Sequence, residues 1–450
     1  MKMTFFSVAA ALALVVSAQA EAKRVLVVTA TQGFRHSSIP LAEKILAGLG
    51  EQTGLWTVEY ARGGADGKGT DDVREKMSRE NLKKYDAIIF ANTTGNLPLP
   101  EKEALTDFVK SGKGFVGMHS ASDTFPGWRP YVEMLGGEFQ IHHEQVGVNC
   151  LNEDHEHPAT RHLGPVYSVF DEIYLLKNFD RTKVHGLLTL DRHPNYGTPG
   201  DYPIAWSKEF GKGRLFYTSL GHREDVWLSS DYQKHIVGGI KFALGLEKGD
   251  SEPQDTTFQV SKEERKEGFK PLFNGRNLDG WKLRNKGGRA SWNVQNGNLV
   301  NLITKDPQGK DMYGTDLVSE DKFKDFIVRY EYLVPKGANS GFYLRGRHEL
   351  QIMDDGNRKA PEMGSNGGLY SIQPAATLAS RKMGEWQEVE AKMIGNRLTV
   401  FLNGVKIHDN VAVDKATGGQ LDDNVKEPGP FMLQGDHGTV AFRKIRVKKL

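Results

Sequence analysis

The texture of the chain changes near residue 248, and no other feature constrains its fold as strongly. Between residues 23 and 247, apolar runs of strand length alternate with amphipathic segments of helical period. "RVLVVTA" (24–30) and "YDAIIFAN" (85–92) are near-continuous apolar runs of the kind buried on both faces of a parallel sheet. "SIPLAEKILAGLGEQ" and "PEKEALTDFVKSG" space their apolar residues as helices do, "WTVEYA" and "GFVGMH" read as further strands, and "PIAWSKEFGKGRLFYTSLGH" followed by "YQKHIVGGIKFALG" reads as a hairpin and a closing helix. This rhythm predicts an open, doubly wound α/β domain over 23–247. The polar stretch 248–268 has no apolar period and is predicted as a linker. From 269 to 450, short alternating runs such as "FIVRYEYLV", "HELQIMD" and "VAFRKIRVKKL" are punctuated by Gly and Asn, and "GNRLTVFLNGVKI" sets Asn-Gly between two of them, the strongest short hairpin signal. That half is predicted as an all-β sandwich of jelly-roll type.

A chain of 450 residues exceeds what one ordinary core supports, in keeping with two units. Its 59 basic and 57 acidic residues leave a formal charge of +2, so nothing in the balance favours nucleic acid or an acidic partner. Residues 1–20 differ in kind. Lys2 precedes the apolar "FFSVAAALALVVSA", which ends in Ala18-Gln19-Ala20, the pattern of a secretory signal peptide cut after Ala20. The expectation is a periplasmic or secreted protein with no membrane span after that cut, since no other apolar run approaches the roughly 20 residues a span needs. Cys150 is the single cysteine, which excludes an internal disulfide and leaves one candidate for thiol chemistry. None of these features sets the oligomeric state.

In a doubly wound sheet, ligands sit beyond the carboxyl ends of the strands. The segments leaving those ends, "TATQGFRHSS", "NTTGNLP" and "GMHSASDTF", are rich in Gly, Ser, Thr and His. "FQIHHEQVGVNCLNEDHEHP" adds His142, His143, Glu144, His155 and His157, and "GHREDVW" sets His222 just past another strand. Imidazoles with carboxylates suit a divalent metal or acid–base work, and the alternative is a hydrogen-bonded polar cluster, because the spacings match no specific zinc pattern.

"VTATQGFRHSSI", "GFVGMHSASDT", "LGGEFQIHH", "HPAT", "FDEIYLL" and "PIAWSKEFGKGRLFYTSLGH" together resemble the ThuA-like, trehalose-utilisation family, a branch of the class I glutamine-amidotransferase-like fold. The resemblance covers residues 23–247 and implies a flavodoxin-like or amidotransferase-like architecture whose tight strand-to-helix turn carries a cysteine. Here "GKGFVGMHSAS" puts His119 at that position. Imidazole cannot replace a thiolate in forming a stable acyl intermediate, so amide transfer and thiol hydrolysis are not expected, and Ser120 has no visible base and orienting acid. The turn instead aims His119 into the cleft as a general base or a ligand. The expected first-domain site is His119 with His36, His143, Glu144, His157 and His222. Of these, His143, Glu144, His157 and His222 are the metal candidates, His36 together with Trp206 is assigned to substrate binding, and Asp171 and Glu172 are expected to orient the others.

In the second half, "RGRHELQIMDD" is the informative strand. By the period of two, Arg345, Arg347, Glu349 and Gln351 share one face, while Leu350 and Ile352 point into the core, which describes the floor of a wet cleft or, alternatively, an outer sandwich face. "FNGRNLDGW", "NSGFYLRGRHELQIMDD", "NGGLYSIQP" and "GDHGTVAFRKIRVKKL" resemble the 3-keto-disaccharide hydrolase family, a concanavalin-like jelly roll, over residues 269–450. An ordinary glycosidase needs two carboxylates about 5 to 10 Å apart. Glu349 and Asp354 are separated by an odd number of residues, so a regular strand turns them to opposite faces about 16 Å apart unless a bulge intervenes. A ketone at C3 of the sugar acidifies the C2 proton, and one base then suffices. Glu349 is the expected base, with His437, Gln351 and Arg345 as ligands or oxyanion donors and Tyr370, Lys359 and Asp354 lining the cleft; His348 falls on the other face.

The sequence thus points to an exported enzyme acting on a small oxidised (3-keto) glycoside or disaccharide by hydrolysis or by elimination and hydration, with a divalent metal as the one cofactor to look for. Two rival readings are a non-catalytic carbohydrate-binding sandwich tethered to a partner-binding α/β domain, and a catalytic first domain with a sandwich that only holds the sugar.

Overall fold

The computed structural model describes residues 21–64, 66–68, 71–356, 358–382 and 384–450. The expected signal peptide lies outside the described residues. Among those residues, no helix is long and apolar enough to cross a membrane.

The first domain is built on eleven strands: β1 (Lys23–Val28), β2 (Trp56–Ala61), β3 (Ala87–Ala91), β4 (Gly114–Met118), β5 (Glu138–His142), β6 (Val146–Asn152), β7 (Val166–Asp171), β8 (Tyr174–Lys177), β9 (His185–Arg192), β10 (Pro199–Phe210) and β11 (Gly213–Thr218). Nine of them form one sheet in the order β2-β1-β3-β4-β11-β10-β9-β6-β7, and β5 pairs with β8 alone. From β2 to β11 the pairing is parallel, and from β11 to β7 it is antiparallel. The parallel part is doubly wound, as its strand composition requires. Alternate residues of β1, β3 and β4 feed two separate cores: Val25, Val27, Ile89 and Val116 pack with Leu46 of the helix Ile39–Thr53 and Ile236 of the helix Ser230–Ala243. Leu26, Val28, Ile88 and Phe115 pack on the other face with Leu105 of the helix Lys102–Lys110. The chain leaves β1 toward one side and β3 toward the other, so a crevice opens at the carboxyl ends of β1, β3 and β4.

The predicted linker is more structured than its composition suggests. Ser261 caps a short helix, Lys262–Glu267, by accepting from the Glu264 N–H, and Gly268 ends it in the left-handed region. Glu264 then pairs with Arg329 and Arg446 at 3.1 and 2.7 Å, so the charges read from sequence as solvated clasp the segment to the sandwich. Upstream, the Asp250 and Glu252 carbonyls accept from Ser207 and His185, which ties the same segment to the first domain.

The second domain is two antiparallel sheets enclosing one core that runs from Phe273 to Val447. One sheet centres on the strands Phe326–Leu333, Gln387–Ile394 and Val440–Lys449, and the other on Asn339–Leu344 and His348–Met353. The Asn-Gly hairpin forms where expected, with Asn403 and Gly404 at φ of 51° and 80° between Arg397–Leu402 and Val405–Ala412. One reading of the sequence is corrected: the strand bearing Glu349 begins at His348, and Arg345 and Gly346, both at positive φ, form the turn before it.

Candidate functional site

Four strand ends of the first domain converge on one polar cluster. His36 follows β1, His119 follows β4, Glu172 follows β7 and His222 follows β11, and one ligand atom from each lies within 4.8 Å of the others. His119 holds a left-handed φ of 46° at the start of the 3-10 turn His119–Asp123. Such a backbone is strained for an L-residue and persists only where neighbours enforce it. Here the Tyr217 hydroxyl lies 2.8 Å from the His119 carbonyl, and His119 Nδ1 lies 2.8 Å from the Ser219 carbonyl. A carbonyl can only accept, so Nδ1 is assigned the proton and Nε2 the lone pair. That Nε2 is 3.2 Å from His36 Nε2 and 3.7 Å from Glu172 Oε2. His222 Nδ1 lies 3.2 Å from the same Oε2, and His142 Nδ1 lies 3.2 Å from Oε1. Burial pushes His36 down to about 4 and His119 well below the usual imidazole range. For His222 burial works in the same direction, but the Glu172 carboxylate beside it outweighs burial and the net shift is upward. Asp171 accepts from the backbone N–H groups of Gly221, Arg223 and Glu172, which holds the loop carrying His222; burial nevertheless raises its carboxyl to about 6.

The sandwich presents a second site on a hairpin. Tyr343 pairs with Glu349, and Gly341 pairs with Gln351. Residues directly opposite share a face, so Gly341 and Tyr343 lie with Glu349 and Gln351, while Phe342, Leu344, Leu350 and Ile352 belong to the core. Glu349 is only 3% exposed, and its Oε2 is 2.8 Å from the Tyr343 hydroxyl, which is also 2.9 Å from the Gly418 carbonyl. One hydroxyl proton serves one acceptor at a time. A protonated Glu349 can therefore donate to Tyr343 while Tyr343 donates to Gly418, and an ionised Glu349 takes the tyrosine proton itself. Burial raises the Glu349 carboxyl to about 7, against the opposing pull of Tyr343 and His437. The carboxylates that act on it at range are occupied: Asp316 pairs with Arg284 at 3.0 Å, and Asp436 pairs with His437 Nδ1 at 2.5 Å. Gln351 donates to Asn339 at 2.8 Å, and Gln434 has a buried side-chain carbonyl without a partner. The Tyr370 N–H donates to the Glu349 carbonyl, and its partly exposed ring lies along Gly418.

Two family models match the chain one after the other. Residues 24–243 match trehalose utilisation, ThuA. Residues 268–448 match the 3-keto-alpha-glucoside-1,2-lyase-like domain. The two matches follow one another along the chain, a ThuA-like part and a lyase-like part in tandem. A curated 3-keto-disaccharide hydrolase of Bacteroides thetaiotaomicron is 26% identical over 187 residues, covering 36% of this chain and 58% of that protein, so less than two thirds of the relative is spanned. Among solved structures, an inferred glycosyl hydrolase of Parabacteroides distasonis is 27% identical with a TM-score of 0.33, covering 41% of this chain and 84% of that one. An inferred ThuA-like protein of Bacteroides uniformis is 25% identical with a TM-score of 0.42, covering 50% of this chain and 93% of that one.

In the ThuA domain, His36, His119 and His222 come together, and Glu172, expected only to orient them, stands among them with its carboxylate. His143, Glu144 and His157 do not join the cluster. The chain reverses into β6 after residue 145, leaving His143 on the surface against Tyr196 and His193, and leaving Glu144 with its carbonyl bonded to Asn195. His157 is buried in a separate turn, where its Nδ1 accepts from the Ala159 N–H and its ring faces Phe242. Trp206 is fully buried in a core with its Nε1 donating to the Leu135 carbonyl, so it is closed to substrate.

In the lyase-like domain, Glu349 and Gln351 share one face of the hairpin, with Tyr370 and His437 close by. Arg345 does not reach it. Its guanidinium is sequestered by the carbonyls of Lys324, Val425 and Gly395, and Arg347 is held by Asp422 and the Glu427 carbonyl. Asp354 accepts from the N–H groups of Gly337 and Gly356 and so caps two loops, while Lys359 is exposed in the loop that follows. His348 faces the core, where burial pushes it down to about 4. Sequence reasoning missed Tyr343, whose place on the Glu349 face was legible in the period of two of "NSGFYLRG", and Gln434, which no local pattern marks.

Proposed function

We propose that the protein is an exported carbohydrate-active enzyme that cleaves the glycosidic bond of 3-keto glycosides, with its chemistry in the lyase-like domain. The observation that carries this reading is Glu349, a buried carboxylate that burial raises to about 7 and that has a tyrosine proton within reach but, among the described residues, no second free carboxylate beside it. Direct displacement at an ordinary glycoside uses two carboxylates. A 3-keto sugar needs one base, because the ketone acidifies the C2 proton. Ionised Glu349 removes that proton, and the electron pair forms an enolate. The enolate then expels the C1 oxygen as the C1–C2 double bond forms, and the leaving oxygen is protonated. Water adds at C1 and C2 regains a proton, so that the sum is hydrolysis. A group titrating near neutral pH is suited to both taking and returning the proton. His437, with one ring nitrogen turned to Asp436, and the side-chain amides of Gln351 and Gln434 supply polar groups for the sugar oxygens. The family match to a 1,2-lyase-like domain and the named relative support the same bond and the same oxidised substrate class. Residues 1–20 support export.

The deciding experiment compares a 3-keto-disaccharide with its unoxidised parent in deuterated water. Cleavage of the keto sugar alone, with deuterium entering at C2, is expected, and Glu349→Gln should lower kcat by roughly 10²–10⁴. Turnover of the parent sugar, or cleavage without exchange at C2, would sink the elimination route. Retention on a polysaccharide with no turnover of either sugar would favour the binding-module reading.

A further inference from the structure

The cluster in the ThuA domain lies on a different domain from Glu349 and has no part in the chemistry above. We propose that His36, His119, Glu172 and His222 form a separate site for one divalent first-row transition-metal ion, and that this ion takes the adjacent ketone and hydroxyl oxygens of an oxidised sugar. The metal rests on this geometry alone, while the sugar class rests on the function proposed above.

Three observations carry the metal. The first is spacing. Ligand atoms about 2.1 Å from one ion lie about 3.0 to 3.4 Å apart at neighbouring positions of an octahedral or a tetrahedral shell. Here His119 Nε2 to His36 Nε2 is 3.2 Å, His119 Nε2 to Glu172 Oε2 is 3.7 Å, and His222 Nδ1 to that oxygen is 3.2 Å. The second is the direction of the lone pairs. The Ser219 carbonyl fixes the proton of His119 on Nδ1, so the lone pair of its Nε2 points into the cluster, 3.2 Å from His36 Nε2. His222 Nδ1, although close to Glu172, makes no aligned hydrogen bond and is a buried atom without a partner. A shared cation satisfies all of these at once. The third is the support around the ring atoms: Ser219 behind His119, Ser120 Oγ 3.4 Å from His36 Nδ1, and His142, whose Nδ1 meets the His143 carbonyl at 3.1 Å and lies 3.2 Å from the free oxygen of Glu172. Metal-bound imidazoles and carboxylates are oriented in this way by outer partners.

The rim carries the sugar half of the proposal. Phe34, 66% exposed, meets the His36 ring edge to face at 4.9 Å, and His142 stands partly exposed on the other side beyond Glu172. An exposed aromatic ring beside an ion whose six-coordinate shell has four protein ligands and two open positions offers a platform for the apolar face of a sugar ring. The ion binds the vicinal oxygens, a chelating pair that an α-hydroxyketone presents and that sets it apart from an unoxidised sugar.

The test uses the full chain, stripped of metal and dialysed against Mn(II), Co(II), Ni(II) or Zn(II) salts, with bound metal measured by mass spectrometry. One equivalent attributable to this site is expected. His36→Ala should lose it, and Glu172→Gln, which keeps the side-chain shape, should weaken it more than about tenfold even if a histidine variant fails to fold. In the Co(II) form, 3-keto-glucose should shift the visible absorption and glucose should not. Glu349→Gln should keep both the metal and the shift while losing cleavage, which separates this site from the lyase-like one. Metal content unchanged in Glu172→Gln and His36→Ala overturns the site. Metal bound without a response to the keto sugar overturns the ligand. A wild-type protein that binds metal here but cleaves no keto sugar leaves the metal standing and removes the proposed function.

Discussion

At the residue scale, Glu349 and His119 are both held in states that folding alone would not favour. Glu349 gives a stability signature with a definite sign. Its folded-state pKa is raised from 4.5 to about 7, chiefly by burial, so the native state binds the proton more tightly than the unfolded chain does. Its contribution is therefore intact below pH 4.5 and is lost as the pH rises to about 7. Gln cannot ionise. Glu349→Gln is expected to be more stable than the parent at pH 8 by on the order of 3 kcal/mol, and close to it at pH 4.5. Denaturant melts at the two pH values measure this, and an equal difference at both would show that ionisation of Glu349 has no part in it. His119 stores strain of a different kind, in a left-handed backbone held by Tyr217 and Ser219.

At the element scale, the hairpin Asn339–Leu344 and His348–Met353 makes room for the Glu349 carboxylate by leaving a side chain out. A Cβ at Gly341 would stand 2.3 Å from Glu349 Oε1 and 2.9 Å from its Cδ. Nothing at Gly341 requires a left-handed backbone, since it is not among the positive-φ glycines. Gly341→Ala should fold with a loss of stability of about 1 to 3 kcal/mol, move the carboxylate off the Tyr343 hydroxyl and lower kcat about tenfold or more. Unchanged kcat with a normal melting curve would mean that the carboxylate position is not critical. The same hairpin shows what the period of two can and cannot tell. It sorts Tyr343, Glu349 and Gln351 from Phe342, Leu350 and Ile352 correctly. It misplaces Arg345 and Arg347, because the chain turns at Gly346 and the alternation ends there.

At the scale of the whole molecule, the two domains are fastened by polar contacts. Trp386 Nε1 donates to Asp191 Oδ2 at 2.6 Å, Asn296 donates to Glu153 at 2.6 Å, and Gln295 accepts from the Asp201 N–H at 3.2 Å. The Trp386 ring also lies under the Arg443 guanidinium, 3.9 Å from its centroid. Trp386→Phe keeps an aromatic ring and removes one charge-assisted hydrogen bond, worth about 1.5 to 3 kcal/mol. Calorimetry is expected to resolve the unfolding of the ThuA domain from that of the sandwich more widely in this variant than in the parent, and superimposable traces would show that this contact does not couple the domains.

The sequence by itself determined what repeats along the chain. Buried β-branched runs dictated the parallel strands, helical spacing dictated the helices that cover them, and strict alternation with Asn-Gly turns dictated the sandwich, because each of these signals is a local periodicity. It also singled out Glu349, His36, His119 and His222 as chemistry-bearing residues on strand ends or a cleft face. Which of them meet was decided only by the tertiary structure. His36 and His222 are separated by nearly the full length of the first domain and become neighbours because β1, β4, β7 and β11 all end on one side of the sheet. His143 and Glu144, adjacent in sequence to His142, are carried away by one reversal of the chain. Proximity in space is set by strand order and loop direction, and no spacing of residues along the chain encodes either.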